Sequence, residues 1–366
     1  MKIAFYIDTI GGGGAERVVV NLASYFSKFY DVILLTTYHN PAFEYDYDKK
    51  INRYILYNGL PKNENIIKKN INVITWLRRV LIKERPDVVI SFLGEANIRI
   101  LLASLFTDIT KIISVRNDPE VEYEGLFRKI AARLLLPIAD GCVFQTEDAK
   151  KWFPKKLQNK STVIVNPVGE IFYKIARNVN PFEVVTCGRL QPQKNHKILI
   201  DAIVEVHKSY PKVVLKIYGN GDLREQLEDY ITQKDANSYI LLKGQTSDVP
   251  KVLSSADVFV LSSNFEGLPN ALMEAISAGV PCISTDCPCG GPHALIDDGK
   301  NGMLVPVNDV GYLVSKINLL LGDDELKNEI GNNAKKQGLQ WKGEVICNLW
   351  NDYVLHCCEL RCRKIL

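Results

Sequence analysis

Short apolar runs of strand length recur along the chain, and nearly every one is followed by a segment long enough to be a helix. The first half shows it at Lys2–Asp8, Val32–Thr37, Pro86–Phe92, Lys111–Ser114, Gly141–Gln145 and Thr162–Asn166. The second half repeats it at Phe182–Cys187, Val213–Tyr218, Tyr239–Lys243, Asp257–Leu261, Pro281–Asp286 and Met303–Pro306. Runs without polar alternation are strands covered on both faces, and strand–helix alternation builds parallel sheets between helices. The fold class is therefore α/β, with a parallel sheet covered by helices. Between the series, Asn166–Pro181 lacks a period and holds prolines at 167 and 181, so it reads as a linker. This divides the 366 residues into domains at 1–170 and 181–340, and the last helix, 341–366, is expected to pack back on the first domain.

Composition narrows the function. A net charge of +3 gives no field for nucleic acid. The nine cysteines follow no framework spacing and read as free thiols. The apolar start at Met1–Ile7 breaks at Asp8, too early for a secretory leader, and no run reaches the ~18 apolar residues of a membrane span. A cytoplasmic protein with at most peripheral membrane contact is expected.

The segment Ser262–Ala275 carries the clearest chemistry. It follows a buried strand and opens a helix, with Pro269 suited to the first helical position. The backbone N–H groups of Asn270, Ala271 and Leu272 then lie at the positive helix end, where a phosphate fits. Glu266 and Glu274 flank that place. Ionised carboxylates only accept hydrogen bonds, which suits sugar and ribose hydroxyls. Upstream, Gly188-Arg189-Leu190 and Lys194 put two cations in one strand-to-helix loop, a clamp for a diphosphate, and Asn195 is placed to cap the next helix. Gly244 ends a further strand where a base can lie against backbone. Cys282, Cys287, Cys289 and His293 match no zinc-ligand spacing, so no metal site is expected.

In the first half, Gly11–Gly14 join a strand to a helix, but the dinucleotide fingerprint fails: Glu16 or Arg17 occupies the third glycine position, and the second strand ends in Thr36-Thr37 instead of an acid. The loop is either a tight turn or an approach for a diphosphate or acceptor. Glu95, Asn97, Arg116, Asn117 and Asp118 fall at strand ends and are candidates for one cleft, against the alternative of loop polarity and capping. The 63–85 segment reads as a helix carrying Lys68, Lys69, Arg78, Arg79, Lys83 and Arg85 beside Ile66, Ile67, Ile71 and Trp76. It is either a solvated face or a contact with anionic lipid.

Taken together, these motifs resemble the retaining glycosyltransferases of family 4. Glu266, seven residues and Glu274 resemble the E-x7-E signature, and Gly188-Arg189-Leu190 with Lys194 resembles the diphosphate loop. Gly13–Arg17, Asp286-Cys287-Pro288, Gly291-Pro292 and Asn301–Pro306 resemble further segments of that family in order along the chain. The resemblance implies the GT-B fold, two Rossmann-like domains facing across a cleft, with no metal or cofactor and a UDP-sugar as substrate. Arg189 and Lys194 would neutralise the leaving diphosphate in place of a metal, Glu266 would touch the transferred sugar, and Glu274 would hold the ribose. Gly13, Gly14, Gly188, Gly244, Gly267, Asn270, Ala271 and Leu272 complete the implied donor site. Glu95, Asn97, Arg116 and Asn117 make the acceptor side. A histidine frequent in the family after the strand ending at Ser114 is absent, and Arg116 or Asn117 stands in its place.

Among family members, the segments resemble those that build bacterial surface polysaccharides or lipid-linked oligosaccharides. The expected reaction is retaining transfer of a hexose or N-acetylhexosamine from a UDP-sugar to a polyprenyl-diphosphate-linked glycan at the inner membrane face. A sugar-nucleotide epimerase and a non-catalytic scaffold are the rival readings. The first would need a proton-transfer pair in place of an acceptor groove, and the second would not need all four of Glu266, Arg189, Lys194 and Glu274.

Overall fold

The computed structural model describes residues 1–40, 44–59 and 65–365. It divides into two units, Met1–Asn166 with Ile346–Leu366, and Pro167–Val345. The expected linker is not free chain. Its residues 167–181 belong to the second unit, where Asn178 and Asn180 donate backbone hydrogen bonds to Ser254 and Ser255.

The first unit holds a parallel sheet in the order β3-β2-β1-β4-β5-β6-β7. Its strands are β1 (Lys2–Ile7), β2 (Asp31–His39), β3 (Asn52–Asn58), β4 (Val88–Phe92), β5 (Thr110–Ser114), β6 (Gly141–Phe144) and β7 (Ser161–Val163). Ile3 of β1 stands between Val32 and Val88, so the chain reverses direction across the sheet at β1 and β4. Strand β3 is not expected from sequence: Asn52-Arg53-Tyr54-Ile55-Leu56-Tyr57-Asn58 lies at the sheet edge, and none of its residues is fully buried. Helix Ile66–Glu84 fills most of the expected 63–85 segment, and Asn63 and Glu64 lie outside the described residues.

The C-terminal helix Gly343–Ile365 completes this unit's core. Trp350 is fully buried and stacks on Phe92 at 5.5 Å. The Tyr353 hydroxyl accepts from the Cys142 N–H at 2.8 Å and donates to the Lys160 carbonyl at 2.6 Å, tying the helix to β6 and the start of β7. Removing a buried aromatic costs about 3–5 kcal/mol. Trp350→Ala is therefore expected to lower the unfolding midpoint of the first unit in a urea titration, with the second unit's transition unmoved.

The second unit repeats the plan in the order β10-β9-β8-β11-β12-β13. The strands are β8 (Glu183–Cys187), β9 (Val214–Tyr218), β10 (Ile240–Gly244), β11 (Val258–Leu261), β12 (Cys282–Thr285) and β13 (Met303–Val305). Here the reversal falls between β8 and β11, whose residues Val184 and Val258 are neighbours.

Candidate functional site

Where strand order reverses in an open parallel sheet, successive loops leave in opposite directions and open a crevice at the carboxyl ends. In the second unit the loop after β8 is Gly188–Asn195 and the loop after β11 is Ser262–Pro269. Both expected motifs thus stand at the one place where this topology offers a ligand site.

Glycines bring the backbones of this region together. The Gly188 N–H donates to the Tyr218 carbonyl and the Gly219 N–H to the Gly244 carbonyl, both at 2.9 Å, which laces the ends of β8, β9 and β10. Gly219 has φ +148°, and a Cβ there would lie 1.8 Å from the Gly188 carbonyl oxygen. On the other side of the crevice, a Cβ on Gly291 would lie 1.8 Å from the Gly267 carbonyl oxygen. Both glycines let a loop backbone, Gly188 or Gly267, lie flat against them.

Lys194 and Glu266 meet across the crevice. The ammonium donates to Glu266 Oε1 at 2.5 Å, and the Ser263 hydroxyl donates to the same oxygen at 2.6 Å. Both side chains are largely buried, 14% and 8% exposed, so the pair is screened little by solvent. Two further contacts join the loops: Asn264 N–H donates to the Gln193 carbonyl, and the Ser262 hydroxyl to the Lys194 carbonyl. Arg189 is exposed, and its guanidinium takes no hydrogen bond or ion pair among the described residues. It is the cation available to an incoming anion. Asn195 occupies the N-cap of helix His196–Ser209 but does not cap it. It lies in the left-handed region at φ +44°, and its amide donates to Asn264 and Asn308 instead. His196 is buried behind the loop, and burial pulls its pKa down to about 4.

Helix Asn270–Ser277 begins one residue later than expected, with Pro269 at the N-cap. Its first intrahelical bond runs from the Met273 N–H to the Pro269 carbonyl at 3.1 Å. The N–H groups of Asn270, Ala271 and Leu272 precede that bond, at the positive end of the helix. Glu274 is buried one turn in and lies close to the end of β8. Burial, and then the charge of Glu274, push the Cys187 thiol up to about 12. The second unit therefore collects Gly188, Arg189, Lys194, Gly244, Glu266, Gly267, Asn270, Ala271, Leu272 and Glu274 around one set of strand ends. Among the described residues, no cluster of three or more His, Cys, Asp or Glu is arranged to hold a metal ion.

The first unit has its own reversal between β1 and β4. Gly13 and Gly14 start helix Gly14–Phe26 just beyond β1. Next to them, Asp8 receives both oxygens' worth of bonding from the Arg99 Nη1, at 2.8 and 2.7 Å, while Arg99 Nη2 donates to Glu95 at 2.5 Å. Asp8 and Glu95 line a cavity of about 530 Å³ whose other walls include Leu93, Glu122, Tyr123 and Phe127. Two expected acceptor residues are not there. Asn97 is fully buried, taking the Ser91 hydroxyl and donating to the Ser114 carbonyl, so it straps β4 to β5. Arg116 is buried between Phe92 and Trp350, at 5.0 and 5.3 Å, and donates to Asn166. Its Nε and Nη2 are buried without a partner among the described residues, and burial without a carboxylate partner pulls its pKa down to about 9. Asn117 is half-buried.

Glu122 was not expected. Its Oε1 accepts from the Gly94 N–H at 2.5 Å, and its Oε2 is buried without a partner among the described residues. Burial pushes the carboxyl up to about 7 against that hydrogen bond. Since the folded state keeps a proton that the unfolded chain releases near pH 4.5, stability falls as pH rises from about 4.5 to about 7. His196 acts oppositely: the unfolded chain binds its proton below about 6.5, so its contribution is lost as pH falls towards about 4. The Glu122 effect is isolated by comparing wild type with Glu122→Gln. The variant is expected to gain on the order of 3 kcal/mol relative to wild type between these limits. Parallel stability–pH curves would contradict it.

Residues 12–169 match the model of Glycosyltransferase Family 4, and residues 168–337 that of Glycosyl transferases group 1. Over 295 residues the chain is 32% identical to an uncharacterized glycosyltransferase of Methanocaldococcus jannaschii, covering 72% of this chain and 71% of that one. The chain belongs to the family 4 glycosyltransferases. This glycosyltransferase is also 27% identical over 346 residues to a Campylobacter jejuni α-1,4-N-acetyl-D-galactosaminyltransferase named for a PP-undecaprenol-linked glycan, with 92% and 93% of the two chains covered. Its fold matches the crystal structure of Anabaena HepE in complex with UDP and glucose at a TM-score of 0.80 and 18% identity, over 97% of this chain and 99% of that one. The glycosyltransferase thus has the GT-B fold, and the Glycosyl transferases group 1 match takes in the β8/β11 reversal.

Proposed function

We propose that this glycosyltransferase moves a hexose or N-acetylhexosamine, with retention, from a UDP-sugar to a polyprenyl-diphosphate-linked glycan, working peripherally at the inner face of a bacterial cell membrane. The observation that carries the reading is the Lys194–Glu266 pair at the β8/β11 reversal, with Arg189 exposed in the same loop as Lys194 and helix Asn270–Ser277 starting where the loop of Glu266 ends. Arg189 and Lys194 supply countercharge to the diphosphate, and the helix end adds its backbone donors. Glu274 takes the ribose hydroxyls and Glu266 the transferred sugar. Same-face attack by the acceptor hydroxyl forms the new glycosidic bond as the sugar–phosphate bond breaks, and the departing phosphate oxygen accepts the hydroxyl's proton. That route needs no general base in the second unit. The relatives' names support the acceptor and donor classes: the Campylobacter enzyme is named for a PP-undecaprenol glycan, and HepE was seen with UDP and glucose.

The test is UDP release from a panel of UDP- and GDP-sugars in the presence of polyprenyl-diphosphate glycans, with the product's anomeric configuration read by NMR. The expected result is one UDP-sugar that turns over with retention. Inversion, or turnover only with GDP-sugars, would overturn the reading.

A further inference from the structure

Helix Leu126–Leu135 carries Leu126, Phe127, Ile130 and Leu134 on its outside, 77%, 84%, 49% and 70% exposed. Leu126, Ile130 and Leu134 recur at every fourth position and so form one stripe along the helix. The inward side is small, with Ala132 fully buried. Nothing among the described residues covers the stripe. A water-facing helix would not place four large apolar side chains there within ten residues.

The charge around the stripe says what covers it. Lys129 and Lys151 are paired with Glu120 and Asp148, but Arg128, Arg133, Lys155 and Lys156 are exposed and have no carboxylate partner among the described residues. Arg128, Lys129 and Arg133 lie on the helix itself. The Arg133 guanidinium stacks over Trp152 at 4.7 Å, which sets the following helices, with exposed Lys151, Lys155 and Lys156, beside it. Trp152 is half-buried and stacks on Tyr123 at 5.9 Å. An apolar stripe edged by cations and an amphipathic indole is the composition of a helix lying in a bilayer interface. A second copy of this chain is a poor occupant, because a symmetric contact would press the unpaired cations Arg128, Arg133, Lys155 and Lys156 against their own copies.

The expected lipid-facing helix, Ile66–Glu84, is less suited. Arg78 is spent on the carbonyls of Ala103 and Leu105, and Lys69 and Lys83 lie over the rings of Tyr38 and Tyr54. Its outward isoleucines are split between the first turns, at 66, 67 and 71, and the last, at 82, and form no continuous stripe.

We propose that helix Leu126–Leu135 docks this protein on an anionic bilayer, its Leu126–Ile130–Leu134 stripe entering the acyl boundary and the surrounding cations meeting lipid phosphates. The inference rests on the lipid-linked acceptor proposed above only for its purpose. The test is co-sedimentation of the full chain with phosphatidylcholine vesicles with and without phosphatidylglycerol, in the absence of any sugar nucleotide. Wild type is expected to bind the phosphatidylglycerol vesicles, and less so as salt is raised. Leu126→Gln with Ile130→Gln and Leu134→Gln is expected to bind at least about tenfold more weakly with unchanged thermal melting. Ile66→Gln with Ile67→Gln and Ile71→Gln should stay within about twofold of wild type. Should the first triple variant melt early, Leu134→Gln alone serves, with a smaller loss in the same direction.

Wild-type levels of binding by the stripe variants would overturn the proposal. So would absence of vesicle binding by wild type, or a wild-type dimer in sedimentation that the stripe variants dissociate. Vesicle binding and turnover are separate readouts, so failure of the transferase reading leaves this result standing, and the converse holds.

Discussion

Lys194→Met is expected to lower kcat by about 100- to 1,000-fold, the range for removing one fixed electrostatic stabiliser of a leaving group. The reason lies in where Lys194 is held. Its ammonium is fixed against Glu266 and screened from water, so it needs no reorganisation when charge develops on a departing phosphate. The same substitution leaves Glu266 largely buried with only the Ser263 hydroxyl and a long Gln193 contact, and stranding one member of a buried pair costs about 3–5 kcal/mol. Stability and activity can be separated. Lys194→Met with Glu266→Gln removes both charges and should recover most of the melting temperature, while kcat stays down. If the double variant recovers turnover together with stability, the pair is a structural strut and not part of the chemistry.

Gly291→Ala is expected to abolish UDP-induced thermal stabilisation and to destabilise the second unit by several kcal/mol. Gly291 does not have a positive φ, so the effect is steric: the added carbon would meet the Gly267 carbonyl oxygen at 1.8 Å. Backbone must move, and the backbone that moves is the Glu266–Pro269 loop. Gly219→Ala should do the same to the Gly188–Lys194 loop, with conformational strain at φ +148° added. Gly311 is the control. It lies in helix Val310–Gly322, the nearest atom to an added Cβ there is 3.6 Å away, and Gly311→Ala should be neutral or mildly stabilising. Melting curves with and without UDP measure all three. Wild-type UDP stabilisation in Gly291→Ala would contradict the placement of the site.

The sheets were legible because central parallel strands are buried on both faces and their sequences largely say so: β11 is wholly apolar, and β1, β4 and β8 are mostly so. Strand β3 was hidden because an edge strand is half wet and need not be apolar. The donor-side residues were legible by spacing, but the partnership of Lys194 and Glu266, 72 residues apart, was not. Only the adjacency of β8 and β11 makes it. The first unit misled where a polar residue after a strand serves the core. Asn97 and Arg116 stand at strand ends like any ligand-facing residue, and nothing in sequence shows that one straps two strands and the other lies under Trp350. Asp8 and Arg99, 91 residues apart, escaped for the converse reason: each looks ordinary until β1 and the helix after β4 bring them together. The stripe at Leu126, Ile130 and Leu134 was readable in period, but an apolar stripe normally means core, and only its exposure says otherwise.

The most direct test of the donor site is calorimetric titration of UDP and of uridine into wild type and into Arg189→Met with Lys194→Met. A diphosphate held by those two cations gives wild type a large preference for UDP over uridine, and the double variant should lose most of it while keeping its affinity for uridine. Retention of the full UDP preference by the double variant would mean that the diphosphate is bound elsewhere, and would contradict the site.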